Sequence, residues 1–384
     1  MVFMVFMGLL VMVIYGLIVR YVGIRLMSVL LIKKEHTTAW LRRLFWLIYL
    51  TLSLLFLLTF LLPEIPVKRA LYITASYFQG FFAYLLFLYL VEDIGFFLVR
   101  VIRKKKKSVR VKGRQYAYAV ATVLSLMLVF YGAVHAREVK TISYEVDMEK
   151  SAGKMTDLKV VMVSDVHLRY VVGLKDIEKM VEGINKLEPD IVIIAGDFFD
   201  DNIKAVSDQE EILKEMRSIS SRYGTYAVLG NHDAGDTYPE MLDFFRQAGV
   251  ILLQDEHILI KESFLLVGRK DERPIGYQGG ERVGMDELLQ GTGNQLPLIM
   301  VDHQPTALDE ADELGVDLLL GGHTHKGQIF PGRLLTRLIF RNDWGYLKAG
   351  DFVSIVSGGF GTWGPPMPIG TDAEIVEIKI EFGN

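Results

Sequence analysis

Five histidines and a group of aspartates fall in five separate short blocks of this chain. "SDVH" carries Asp165 and His167, and "GDFFD" carries Asp197 and Asp200. "GNHD" carries Asn231 and His232, "VDHQP" carries His303, and "GGHTH" carries His323 and His325. The chain has 8 histidines in 384 residues, so five in these blocks is a concentration and not a scatter. Imidazoles mixed with carboxylates and an amide oxygen, with no thiolate, suit divalent ions such as Mn, Fe, Zn or Co. The set is too large for one tetrahedral shell, which points to two ions. The chain has no cysteine, which excludes thiolate ligands, cysteine nucleophiles and disulfides.

Each block follows an apolar run. "LKVVMVSD", "PDIVIIAGD" and "TYAVLGNHD" read as buried strands ending in polar loops. Helical spacing in residues 174–187, 207–220 and 238–249 separates or follows them, with Ser207 as the expected cap of the second helix and Gly249 as the stop of the third. Further short strands are expected near 251–253, 257–260, 263–267, 297–301, 317–320, 352–356 and 374–380. Strands alternating with helices, then clustered strands, predict two packed sheets with outer helices. In such folds, ligands bind in the crevice beyond the carboxyl ends of the strands. "DERPIGYQGGERVG", at 271–284, is expected to be a loop.

The first 140 residues are of another kind. They hold 19 Lys+Arg against 5 Asp+Glu, whereas the rest of the chain holds 23 against 41. Apolar runs at about 2–19, 44–62, 71–99 and 117–134 predict four membrane spans. The boundary falls near Arg137–Tyr144, which divides the chain into a transmembrane domain, 1–140, and a second domain, 141–384. Basic residues crowd the first connection (Arg20, Arg25, Lys33, Lys34, Arg42, Arg43) and the third, Arg100–Arg114, which has nine. Positive loops stay in the cytoplasm, so the second domain is expected on the extracytoplasmic face of a multi-pass cell-membrane protein. Lys104–Lys107 suits anionic lipid headgroups, and Glu92 with Asp93 is expected at a solvated or Lys/Arg-paired helix end. No specific nucleic-acid partner is predicted, and oligomeric state is not legible.

The five blocks, in this order over residues 158–380, resemble the calcineurin-like metallophosphoesterase family. "GGHTHKGQIFPG" and "GGFGTWGPPMPIG" are similar to its membrane-anchored bacterial and archaeal branch. The resemblance implies a four-layer αββα sandwich and two divalent metal ions. It implies one ion on Asp165, His167, Asp197 and His325, and another on Asp197, Asn231, His303 and His323. Asp197 would bridge them, His232 would act on the phosphoryl group without ligating metal, and Asp200 would orient His232. The implied activity is hydrolysis of a phosphomonoester, phosphodiester or pyrophosphate bond, with a lipid-linked phosphate as the first substrate expected. The alternative is a non-catalytic metal-binding sensor or partner-binding module on the same fold. Arg169 and Lys326 are candidate phosphate contacts. Pro368 stands where relatives often have arginine, which weakens any anion site in the last loop.

Overall fold

The computed structural model describes residues 2–30, 39–102, 111–271, 281–293 and 295–383. The chain forms two compact units, Met1–Ala133 and Val134–Asn384.

In the first unit, long apolar runs without helix breakers give four helices: α1 (Val2–Leu30), α2 (Ala39–Leu61), α3 (Pro66–Ile102) and α4 (Val111–His135). Among the described residues, three segments are long and apolar enough to cross a membrane: Phe6–Leu30, Ala39–Leu61 and Gly113–His135. The expected third span, 71–99, lies within α3, which is not among the three. The first span also runs past the charge-free stretch to Leu30, carrying Arg20 and Arg25. Lys33, Lys34 and the Lys104–Lys107 cluster lie outside the described residues.

This unit closes on Val22, Leu85 and Tyr89, with no space at Gly23 for a Cβ beside Trp46 and Tyr49. Small residues at such crossings let helices approach closely. Asp93 is its polar staple. It accepts hydrogen bonds from Tyr21 at 2.8 Å, Arg25 Nε at 2.9 Å, Arg114 at 2.6 Å and Tyr118 at 2.5 Å. The Arg pairing expected for Asp93 is therefore present, but inside α3 and not at its end, and Glu92 Oε2 is buried without a hydrogen-bond partner among the described residues.

The second unit has twelve strands among the described residues, of which the central ones are short, buried on both faces and apolar. In chain order they are β1 (Val139–Ser151), β2 (Asp157–Val163), β3 (Ile191–Ala195), β4 (Thr225–Val228), β5 (Ile251–Leu252) and β6 (Glu256–Ile260). Then follow β7 (Phe264–Gly268), β8 (Leu298–Val301), β9 (Leu318–Gly321), β10 (Gly345–Ala349), β11 (Phe352–Val356) and β12 (Ala373–Gly383). Helices α5 (Leu174–Lys186), α6 (Gln209–Arg217), α7 (Tyr238–Ala248), α8 (Met285–Leu288), α9 (Leu308–Glu313) and α10 (Arg333–Ile339) connect them.

One six-stranded sheet has the order β1-β12-β2-β3-β4-β5, and the other β10-β11-β9-β8-β7-β6. β2, β3, β4 and β5 run parallel, as do β7, β8, β9 and β11. Three apolar layers separate four structural layers. Val161, Ile194 and Phe199 pack with Ile177, Met180 and Phe245 of the helices on the first sheet. Met162, Ile193, Leu266 and Leu320 fill the space between sheets. Met300 and Leu319 pack with Met285, Leu308 and Ala311 outside the second sheet. The expected αββα sandwich is the observed one.

The sequence reading missed β1, β10 and the short α8, α9 and α10. β1 alternates Ile142, Tyr144, Val146 and Met148 with polar residues, a period-two strand signal that was passed over, and it pairs with β12 from Val139 to Ser151. Gly249 ends α7 with φ 75°, as expected, but the residue capping α6 is Asp208 and not Ser207. Most of the expected loop at 271–284 lies outside the described residues. Ile193 is 1% exposed between the sheets. Ile193→Ala is expected to cost about 2–5 kcal/mol through lost burial and a residual cavity, read as a lowered unfolding midpoint.

Candidate metal centre

All five blocks follow carboxyl ends of parallel strands. β2 delivers Asp165 and His167, β3 delivers Asp197, Asp200 and Asp201, and β4 delivers Asn231 and His232. β8 delivers His303, and β9 delivers His323 and His325. Parallel strands from facing sheets thus end at one edge of the sandwich. The chain there turns sharply: Asp165, His167 and Asp197 have φ 51°, His323 has 70° and His325 has 47°. Left-handed backbone at non-glycine residues costs energy and persists where the surroundings over-determine it. Two glycines make the close approach possible. A Cβ on Gly230 would fall on Asp197, and one on Gly322 would fall on Asp165 and Ser164. Gly322→Ala is therefore expected to lower bound metal while leaving the far-ultraviolet circular dichroism unchanged, as measured by metal analysis of the purified chain.

The side chains converge as overlapping sets, of which two match the implied ligand groups and a third joins His167, Asp200 and His232. In the first, His167 Nε2 lies 3.0 Å from His325 Nε2, which lies 3.4 Å from Asp165 Oδ1. In the second, His303 Nε2 lies 3.1 Å from Asp197 Oδ2, and ligand atoms of Asp197, His303 and His323 all fall within 4.8 Å of one another. Asp197 Oδ2 is also 3.9 Å from His167 Nε2, so one carboxylate faces both sets. Backbone hydrogen bonds aim these groups. His232 N donates to Asp197 Oδ1 at 2.7 Å, and His323 N donates to both oxygens of Asp165 at 3.0 Å. His303 Nδ1 donates to the Ala195 carbonyl at 2.9 Å, which turns Nε2 inward.

The donor set fits divalent ions. Asn231 Oδ1 is buried and has no hydrogen-bond partner among the described residues. Buried polar atoms are normally satisfied, and orphans of this kind ask for a further ligand. The electrostatics agree. Burial disfavours a charged His303, but Asp197 outweighs it and holds the imidazole well above its usual range. Burial likewise opposes ionised Asp197, yet His303 and His167 keep its carboxyl well below the usual range. A buried carboxylate that stays ionised and draws a proton onto the neighbouring imidazole also attracts cations. His325 is the opposite case, with burial pushing it down to about 4 against the pull of Asp165, so its lone pair is free near neutral pH.

His232 stands at the rim. Its Nδ1 is 3.3 Å from Asp201 Oδ1 and 3.5 Å from Asp200 Oδ1. Burial lowers its basicity, but Asp201, Asp197 and Asp200 together raise it to about 9. Asp200 also faces His167 Nδ1 at 3.8 Å and Arg169 at 3.4 Å, so it serves three partners. Asp201, which makes the hydrogen bond, was missed. Its only signal was a second aspartate after "GDFF". Asp233 was missed too. Fully buried, it accepts hydrogen bonds from Phe198 N, Phe199 N and Gly230 N at 3.2, 2.7 and 2.9 Å, tying the two aspartate loops together.

The cleft over these groups has a volume of about 460 Å³ and is walled on one side by Ile329, Trp363 and Pro365. Gln328 holds that wall, donating to the Trp363 and Pro365 carbonyls at 2.7 and 3.1 Å and accepting from Trp363 N at 2.9 Å. Trp363 lies 5.8 Å from the His232 ring, while Met367 is fully buried. Neither cationic candidate lines the cleft. Arg169 is drawn to Asp200 and stacks on Tyr170, and the Lys326 ammonium sits 3.4 Å over the Trp344 ring. Both side chains are held by neighbours that the linear sequence does not reveal.

Residues 158–327 match the family model described as calcineurin-like phosphoesterase. An uncharacterized metallophosphoesterase of Aquifex aeolicus is 33% identical over 263 residues, which cover 67% of this chain and 98% of that protein. One of Campylobacter jejuni is 29% identical over 306 residues, covering 77% of this chain and 78% of that one. A transmembrane protein with metallophosphoesterase domain from Danio rerio is 29% identical over 275 residues, covering 68% of this chain but 62% of that relative's length.

Proposed function

Because the chain belongs to the calcineurin-like metallophosphoesterase family, we propose that residues 141–384 are a catalytic domain that hydrolyses a phosphate ester with two divalent metal ions. The observation that carries this reading is Asp197, whose Oδ2 lies between His303 of one set and His167 of the other. Asp165, His167, Asp197 and His325 would hold one ion, and Asp197, Asn231, His303 and His323 the other. Two such ions supply a nucleophilic hydroxide near neutral pH and neutralise charge on the phosphoryl oxygens.

The protein's own groups do the rest. His232 holds a proton on its ring, kept there by Asp201 and Asp200, and delivers it to the departing oxygen. Asp197 accepts the His232 N–H and so sets the distance between the acid and the metal centre. Trp363, Ile329 and Pro365 present an apolar wall to the leaving group. That wall favours an ester with an apolar or lipid-linked portion.

The metal question is answered with the purified protein, stripped by chelator and then given Mn, Zn, Fe or Co. Hydrolysis of p-nitrophenyl phosphate or bis-p-nitrophenyl phosphate is expected to vanish and return. Full activity in the stripped protein would overturn the reading. Metal binding without hydrolysis of any phosphate ester, lipid phosphates included, would favour a sensor instead.

Three apolar helices and the transmembrane relative support a membrane protein. Taking α3 as a fourth span, we place the catalytic domain outside the cytoplasm on the basic residues of the first and third connections. A reporter fused after Val134 is expected to report an extracytoplasmic position, and a cytoplasmic signal would reverse it.

A further inference from the structure

α10 is a helix with no buried residue, although its sequence, RLLTRLI, is mostly apolar. Leu338 is 83% exposed and Ile339 71%, and Leu334, Leu335, Phe330 and Trp363 are each more than half exposed. A helix of a water-surrounded domain turns such side chains inward. Contiguous apolar surface of this kind marks an interaction site. The other large apolar residues exposed in this unit, Val134, Ile251, Leu259, Leu314 and Tyr346, are scattered singly along the chain.

The patch is joined to the metal centre. α10 packs against the turn at His325–Gly327, where Gly327 and Gly332 approach too closely for a Cβ on either. Phe340, just after the helix, sets its ring 5.9 Å from that of His323. Ile329, one residue before Phe330, lines the cleft. The exposed apolar surface therefore begins at the cleft mouth.

Its charge is also distinctive. Residues 323–342 carry Lys326, Arg333, Arg337 and Arg341 and no acidic residue, in a domain that is otherwise strongly acidic. Arg333 leans toward Asp343 at 3.5 Å and Arg341 toward Asp309, while Arg337 is exposed among the leucines. Leucine, isoleucine, phenylalanine and tryptophan interleaved with arginine are the composition of helices that lie in a membrane interface. Arginines there meet anionic headgroups. The apolar helices of the first unit attach this chain to a bilayer, which presents a lipid surface to the domain at high effective concentration.

We propose that α10, with Phe330 and Trp363, docks into the surface of an anionic lipid bilayer and opens the metal cleft toward the headgroup layer. The inference stands on this surface and not on the hydrolytic reading, so the two fail separately.

Because the chain has no cysteine, Leu338→Cys gives one labelling site in the full-length protein, and Lys214→Cys on α6 gives an exposed control. Each is spin-labelled in nanodiscs of phosphatidylcholine with phosphatidylglycerol. The label at 338 is expected to be open to oxygen and shielded from a water-soluble nickel chelate, and the label at 214 open to nickel. Equal nickel access at both positions overturns the proposal. Shielding of 338 from both reagents also overturns it, since that means protein covers the helix. Adding Arg337→Glu to the labelled chain is expected to restore nickel access at 338, and unchanged shielding removes the anionic headgroups from the proposal.

Discussion

Asp197→Ala is expected to abolish metal-dependent hydrolysis, with kcat down by about 10³-fold or more, on the order of losing a principal electrostatic contact in a transition state. The size follows from the position of the carboxylate. One oxygen faces His303 and His167 from the two ligand sets, and the other accepts the His232 N–H at 2.7 Å. Alanine removes a ligand from both proposed ions and releases the loop that carries His232. Metal analysis should show fewer than two ions per chain. Asp197→Asn is the control, since it can still accept from His232 N while losing the negative charge. If Asp197→Ala keeps both ions and full turnover, the shared-carboxylate reading is wrong.

His232→Ala separates chemistry from metal binding. It is expected to keep its metal content and lose about 10²–10⁴-fold in kcat, the usual contribution of a positioned proton donor. The loss should be largest for esters with poor leaving groups and smaller for p-nitrophenyl esters, whose leaving oxygen needs little protonation. Asp201→Asn is expected to act in the same direction and more weakly, because Asp200 remains 3.5 Å from Nδ1. Full turnover in His232→Ala on every ester would sink the proton-donor role. Loss of metal in that variant would instead make His232 a ligand.

Much of the centre was legible because it obeys a local rule. Apolar runs such as "VVMV" and "IVII" specify strands buried on both faces, and polar blocks follow them at the strand ends. Asp165, His167, Asp197, Asn231, His303, His323 and His325 could therefore be grouped before any coordinates. What stayed hidden depends on contacts between residues far apart in the chain. Asp201 was indistinguishable from a surface aspartate until β4 brought His232 to it. Asp233 reads as one acid after "GNH", yet it ties the loop after β4 to the one after β3. Arg169 and Lys326 looked available for phosphate, and their partners Asp200 and Trp344 lie 31 and 18 positions away in the chain.

The sequence by itself determined the division into an apolar basic part and an acidic layered part, the buried strands, and the identity of the ligand-type residues. Those follow from hydropathy period, charge and side-chain chemistry, which are properties of short stretches. Only the tertiary structure decided which carboxylate faces both ligand sets, which aspartate holds His232, and that α10 leaves its leucines exposed beside the cleft. Each depends on where separate strands end relative to one another, and that is set by the packing of two sheets whose strands are not adjacent in the chain.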